Sequence, residues 1–279
     1  MNFAPPAAPS GGLAFIGGGN MARSLIGALV RSGVAASAIA VAEPNADLRD
    51  ALARDFGVGV HARARAAAEG AASIVLAVKP QVLATVCAEI ADVAAAQQPL
   101  LISIAAGVRI EQIQGWLGGA IAIVRAMPNT PALIGAGACG MIANAATTPA
   151  QRVQAEAILG AAGMTAWIAR EELMDTVTAL SGSGPAYFFL LVEALEDAAV
   201  AQGLPRETAR ALATQTCLGA GRMLVEDGEA PSVLRERVTS PGGTTAAALD
   251  AFAAGGLREL VSAAVGAATR RGRELSNPS

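Results

Sequence analysis

The sequence predicts an α/β fold: a doubly wound, mostly parallel sheet in its N-terminal part, followed by an all-helical part. Three observations predict it. From Leu13 to about Arg170, short apolar runs alternate with amphipathic Ala-rich stretches, the pattern of βαβ units. Beyond Arg170 the strand signal stops and only helical patterns remain. Hydrophobic residues make up 53% of the chain but aromatic ones only 3%, so Ala, Val, Leu and Ile do the packing and let helices approach a sheet closely.

The candidate strands, in order, are Leu13–Ile16, Ala38–Ala42, Val58–Val60, Ser73–Val78, Leu100–Ile104, Ile121–Ala126, Ala138–Ile142 and Thr165–Ile168. Helix starts are marked between them by Asn20, by Asn45 after Pro44, by Gln81 after Pro80 and by Thr148 before Pro149. In the second part, Pro185–Ala201, Pro205–Asp227, Pro231–Val238, Thr244–Ala253 and Gly256–Leu275 read as helices. The run Tyr187-Phe188-Phe189-Leu190-Leu191-Val192 is apolar on every side, so its helix must be covered on every side. So small a helical part has too few helices of its own to do this, which predicts a two-fold homodimer interlocking through it. The expected domains are therefore 11–170 for the sheet and 171–279 for the helices, after a disordered Pro/Ala-rich tail at 1–10.

Composition excludes several classes of function. The net charge is -3 with no basic run, so there is no electrostatic footprint for nucleic acid, and small molecules are the expected partners. Mean hydropathy is +0.46, yet no uninterrupted apolar segment reaches the roughly 18 residues a spanning helix needs. Cys87, Cys139 and Cys217 are far apart and form no CxxC, which predicts buried structural thiols and a cytoplasmic protein. No HExxH or Cys/His cluster points to a metal.

Leu13-Ala14-Phe15-Ile16 runs directly into Gly17-Gly18-Gly19-Asn20-Met21-Ala22, a G-x-G-x-x-A fingerprint between a strand and a helix. Gly17 permits the tight turn, Gly19 lets the backbone approach a pyrophosphate, and Ala22 allows close helix packing, while the helix start offers free N–H groups. The first part is thus expected to be a Rossmann dinucleotide-binding domain. Glu43 ends the second strand, either as a contact to a ribose 2'-hydroxyl or as a helix-start carboxylate favoured by the macrodipole. It would repel a 2'-phosphate, although Arg49 lies one turn on, so NADH and NADPH both stay open. Of the 20 basic side chains, 19 are Arg and the only Lys is Lys79, in Ala77-Val78-Lys79-Pro80 at the end of the fourth strand, where α/β sheets bind ligands. Ala105-Ala106-Gly107 and Met127-Pro128-Asn129-Thr130-Pro131 end the next two strands and suit a nicotinamide pocket, although Asn and Thr beside Pro are also ordinary turn residues.

In the helical part, Ser181-Gly182-Ser183-Gly184-Pro185 and Ser240-Pro241-Gly242-Gly243-Thr244-Thr245 each precede a helix. The second is the sharper anion site, with unpaired backbone N–H groups beside the Thr244 and Thr245 hydroxyls. The first serves equally well as a cap and packing turn. The sole histidine, His61, ends the third strand, where a structural role is expected.

These motifs together, in their order and spacing from Leu13 to about Leu275, resemble the pyrroline-5-carboxylate reductase family. Phe15 to Met21, Ala77 to Pro80, Met127 to Pro131, Ser181 to Tyr187 and Val238 to Thr245 carry the resemblance, the last continuing to Leu249-Asp250. It implies reduction of 1-pyrroline-5-carboxylate to L-proline by NAD(P)H, and assembly of dimers into larger rings. It also implies that Ile16 to Met21, Ala77 to Pro80, Ala105 to Gly107 and Asn129 line the coenzyme, and that Glu171, Gly242, Gly243, Thr244 and Thr245 meet the substrate. Thr245 would hydrogen-bond the ring nitrogen while the Gly242-Gly243-Thr244 amides hold the carboxylate. The family commonly has a small hydroxyl or neutral residue where this chain has Glu43, so the resemblance leaves the choice between NADPH and NADH open. Related cyclic imines are further possible substrates. Relatives of 3-hydroxyacid dehydrogenases would need a catalytic Lys in the helical part, which is absent, and a nucleotide-sensing regulator without turnover would not need the Ser240 to Thr245 motif.

Overall fold

A computed structural model describes residues 11–276 of the chain; the tail expected at 1–10 lies outside the described residues. Eight strands form one sheet: β1 (Gly12–Ile16), β2 (Ile39–Ala42), β3 (Gly59–His61), β4 (Ala71–Leu76), β5 (Leu100–Ser103), β6 (Ile123–Met127), β7 (Gly137–Ala143) and β8 (Gly163–Trp167). All eight overlap the strands expected from sequence. Their spatial order is β3-β2-β1-β4-β5-β6-β7-β8, and every neighbouring pair is parallel except β6 and β7.

The helices among these strands are α1 (Asn20–Arg31), α2 (Ala46–Phe56), α3 (Ala64–Ala68), α4 (Pro80–Gln97), α5 (Ile110–Leu117) and α6 (Pro149–Gly160). Local chemistry explains three of the four marked starts. The Asn45 side chain accepts the Leu48 N–H, Pro80 opens α4, and Thr148 and Gln151 cap each other's backbone in a capping box at α6.

The sheet alternates its side chains between two cores, as a pleated strand must. Leu13 and Phe15 of β1 join Leu25, Ile26 and Leu29 of α1, Leu52 of α2 and Ile158 of α6 on one face. Ala14 and Ile16 join Leu83 and Ile90 of α4 and Ile113 of α5 on the other, together with the small Ala67 and Ala68 of α3. The low aromatic content is thus met by a double aliphatic core.

After β8 the chain runs through α7 (Met174–Val177) and a single wide turn, Thr178–Gly182, into α8 (Gly184–Ala201), α9 (Arg206–Glu226), α10 (Pro231–Arg237), α11 (Thr244–Ala254) and α12 (Leu257–Ser276). Two compact units result: residues 11–183 with 268–276, and residues 184–267. Residues 171–183, which the sequence reading assigns to the helical domain, pack with the sheet, where Val177 sits directly on Gly140 of β7. The helical unit buries few side chains, and Phe188, Phe189 and Leu190 of α8 are 59, 69 and 65% exposed. Its α8 and α9 are tied by Glu196, whose carboxylate accepts from Arg206 and Arg210 at 3.0 Å each. The Arg210 guanidinium, and then that of Arg206, hold the Glu196 carboxyl below the usual carboxylate range. No helix among the described residues is long and apolar enough to cross a membrane.

Candidate active site

The strand order reverses direction of growth at β1, which lies between β2 and β4, so a crevice opens at the carboxyl ends of β1 and β4. The glycine loop sits there. Gly17 donates its N–H to the Ala42 carbonyl at 2.8 Å, and Ala77 donates to the Ile16 carbonyl at 2.8 Å. Gly17 has φ +102°, and a Cβ there would stand 2.6 Å from the Ala77 carbonyl oxygen, so only glycine fits. Gly19 is the N-cap of α1, with no side-chain cap, no acidic residue in the first turn and open space around its Cα. The N–H groups that begin α1 therefore present a positive, uncrowded end to an anion, which fits a dinucleotide pyrophosphate.

Glu43 follows β2 immediately and is 9% exposed. Its Oε2 accepts the Gly18 N–H at 2.9 Å and its Oε1 accepts the Asn45 N–H at 3.0 Å. This carboxylate braces the start of α2 through Asn45 and lies against the glycine loop through Gly18. Arg49 points one guanidinium nitrogen at the Glu43 and Pro44 carbonyls, each at 2.8 Å.

Ala77, Val78 and Lys79 lead from β4 into α4, with Lys79 exposed as the N-cap residue before Pro80. Ala105, Ala106 and Gly107 follow β5 at the same edge, and Gly107 lies against the main chain of Leu275. Asn129 follows β6 and is buried, but its side chain is engaged within the protein: Oδ1 accepts the Ala138 N–H and Nδ2 donates to the Ser181 carbonyl, both at 2.9 Å. Its amide group holds the loop, and the carboxyl edge gains that shape rather than a free amide. Ser181 donates its hydroxyl to the Val177 carbonyl at 2.9 Å, and a Cβ on Gly182 would meet the Met127 side chain at 2.8 Å, so this motif acts as a packing turn in the unit.

Glu171, half-buried, stands at the edge of an ionic cluster with the buried Arg125 and Asp175 that sequence reasoning did not foresee. Its Oε1 accepts from the Ile110 N–H and from Arg125 Nη1, each at 2.9 Å. Arg125, 4% exposed on β6, also faces Asp175 at 3.9 Å, and Asp175 accepts from the Ser276 hydroxyl at 2.9 Å. A signal was present, since an Arg inside the apolar run Ile121 to Met127 requires buried partners.

In the helical unit, Gly242 has φ +69° and Gly243 is the N-cap of α11, which carries no side-chain cap. The Gly243 N–H closes a turn onto the Ser240 carbonyl at 3.0 Å. This corrects the expectation that Gly243 offers a free amide; the uncapped donors begin at Thr244 and Thr245 instead. The Thr244 side chain is exposed and Thr245 half-buried. Burial pushes the Cys87 thiol up to about 11 and that of Cys139 up to about 12, so neither offers a thiolate nucleophile near neutral pH. His61 takes part through its backbone, its carbonyl accepting the Glu43 N–H at 2.9 Å.

Two family models match the chain: "Pyrroline-5-carboxylate reductase dimerisation" over residues 171–275 and "NADP oxidoreductase coenzyme F420-dependent" over residues 12–107. A pyrroline-5-carboxylate reductase of Pseudomonas aeruginosa is 47% identical over 264 residues, which span 95% of this chain and 96% of the relative. That of Arabidopsis thaliana is 40% identical over 99% of both. The solved pyrroline-5-carboxylate reductase of Coxiella burnetii superposes with a TM-score of 0.93 at 44% identity, covering 96% of this chain and 99% of that one. A Plasmodium falciparum pyrroline carboxylate reductase with NADP bound gives 0.84 at 28% identity, covering 97% of this chain and all of that one, 100%. The chain belongs to the pyrroline-5-carboxylate reductase family.

Proposed function

We propose that this chain reduces the cyclic imine 1-pyrroline-5-carboxylate to L-proline with NADH or NADPH, the last step of proline biosynthesis. The observation that carries this reading is the Gly17–Met21 loop at the β1/β4 crevice, open at the uncapped start of α1, in a chain related along its full length to reductases of that name. The dinucleotide bound at that loop supplies the hydride. Ile16 to Met21, Ala77 to Pro80 and Ala105 to Gly107 line it, with Asn129 fixing the shape of the wall. The imine carbon gains hydride and the nitrogen gains a proton, so the C=N π bond becomes an N–H and a C–H bond. Thr245 hydrogen-bonds that nitrogen, first-turn amides from Thr244 hold the carboxylate, and Gly242 and Gly243 leave room for it. Glu171, on the segment that packs with the sheet, meets the substrate. Dimers join into a larger ring in the cytoplasm.

The test is coenzyme oxidation followed at 340 nm. It should require added pyrroline-5-carboxylate, and oxidation that ignores the imine rejects the reading. Thr245→Ala should lower kcat/KM by about a hundredfold, the usual scale of a lost proton-handling group. Unchanged kinetics would remove Thr245 from the reaction.

A further inference from the structure

We propose that Glu43 makes the dinucleotide site selective for the coenzyme with a free 2'-hydroxyl, NADH, against its 2'-phosphorylated form. The proposal rests on the reading of Gly17–Met21 as the dinucleotide loop. An acidic residue at the end of the second strand is the expected partner of the adenosine ribose. In this chain the carboxylate is also immobilised. Its two oxygens each accept a backbone N–H, from Gly18 and Asn45, and its backbone N–H is tied to the His61 carbonyl. A Cβ on Gly18 would lie 3.2 Å from Glu43 Cβ and 3.3 Å from Cγ, so the absent side chain is what lets the acid lie against the loop. A carboxylate has about four lone-pair directions, so each oxygen keeps one with which to accept from a vicinal hydroxyl.

A 2'-phosphate would bring a charge of about -1.5 to -2 to the same place. The carboxylate cannot swing away without breaking both N–H bonds. Two arginines of the neighbouring elements are oriented by other groups, although Arg23 Nη1 is buried without a hydrogen-bond partner. Arg49 donates to the Glu43 and Pro44 carbonyls, and Arg23, in the first turn of α1, is paired with Asp55 at 2.5 Å and lies over the Phe56 ring. Lys79 follows β4, with β1 standing between it and β2. Like charge fixed at low exposure selects against the phosphate.

The experiment is a fluorescence titration of the full-length protein with NADH and with NADPH, in the absence of imine. The unsubstituted protein should bind NADH at least about tenfold tighter, or about 1.4 kcal/mol. Glu43→Ser, and Glu43→Gln, which keeps the shape and an acceptor for the Gly18 N–H, should narrow that ratio about fivefold or more by tightening NADPH. Circular dichroism melts establish that both variants fold. NADPH bound as tightly as NADH by the unsubstituted protein overturns the proposal, as does a full preference surviving in folded Glu43→Gln. Failure of both coenzymes to bind overturns the loop reading itself and takes the proposal with it, a result distinct from lost selectivity.

Discussion

The Asn129 side chain uses both ends of its amide inside the protein, joining the loop after β6 to β7 through Ala138 and to the wide turn through Ser181. Removing it leaves a donor and an acceptor without partners, at about 1–3 kcal/mol for each group that stays buried. Asn129→Ala should therefore lower the unfolding free energy by about 2 kcal/mol in urea titration, and a change below about 0.5 kcal/mol would show that water replaces the amide. The residue was legible in the sequence as important, but its partners were not, because a backbone acceptor 52 positions away leaves no mark on composition or spacing. The same holds for Glu43. Its position at the end of β2 could be read directly, whereas the bond to Gly18 depends on how two loops meet. Glycines that must be glycine for steric reasons, such as Gly17, were readable because the fingerprint encodes the backbone itself.

Elements with strong periodicity or caps were legible, and those set by their neighbours were not. Every strand was visible from its apolar run, and the starts of α2, α4 and α6 from their capping or proline residues, whereas Asn20 lies inside α1 and its N-cap is Gly19, with no side-chain bond. The short α3 shows only Ala and Arg, without an amphipathic stripe, and it forms because the sheet beneath it needs cover. The reversal at β7 escaped a reading by periodicity, since alternation carries no direction. It follows from the short Thr130–Ile134 turn, which is too brief for the crossover that parallel pairing demands. Elements are also joined by charge. Glu171 links the start of α5 to Arg125 on β6, and through Arg125 to Asp175 and the end of α12. Glu171→Ala strips a buried cation of its close partner and should cost about 3 kcal/mol of stability. Glu171→Gln keeps an acceptor for the Ile110 N–H and should cost clearly less. If Glu171 also meets the imine, the Gln variant should raise KM at nearly unchanged melting temperature; an unaltered KM would confine the residue to bracing the fold.

At the scale of the whole molecule, the helical unit lacks the core that its composition promises. Leu191 and Leu195 are each 46% exposed on α8, beside the more exposed Phe188, Phe189 and Leu190, while Leu212 and Leu218 of α9 are 57 and 56% exposed. So many exposed apolar side chains on two helices call for cover, and residues 171–275 match the family's dimerisation domain, so a second copy covers them. Folding of the helical unit is then tied to association, and mass action makes its stability depend on concentration. The melting temperature should rise as protein concentration increases, and sedimentation should give a mass of at least two chains. Phe189→Glu places a charge in the middle of the covered surface, where it has no partner. The variant should sediment as a smaller species and melt at a lower temperature that no longer varies with concentration, while coenzyme binding persists because the sheet unit carries its own double core. An unsubstituted protein that sediments as a single chain, with a concentration-independent melt, would mean that the helical unit holds together on the few side chains it buries alone.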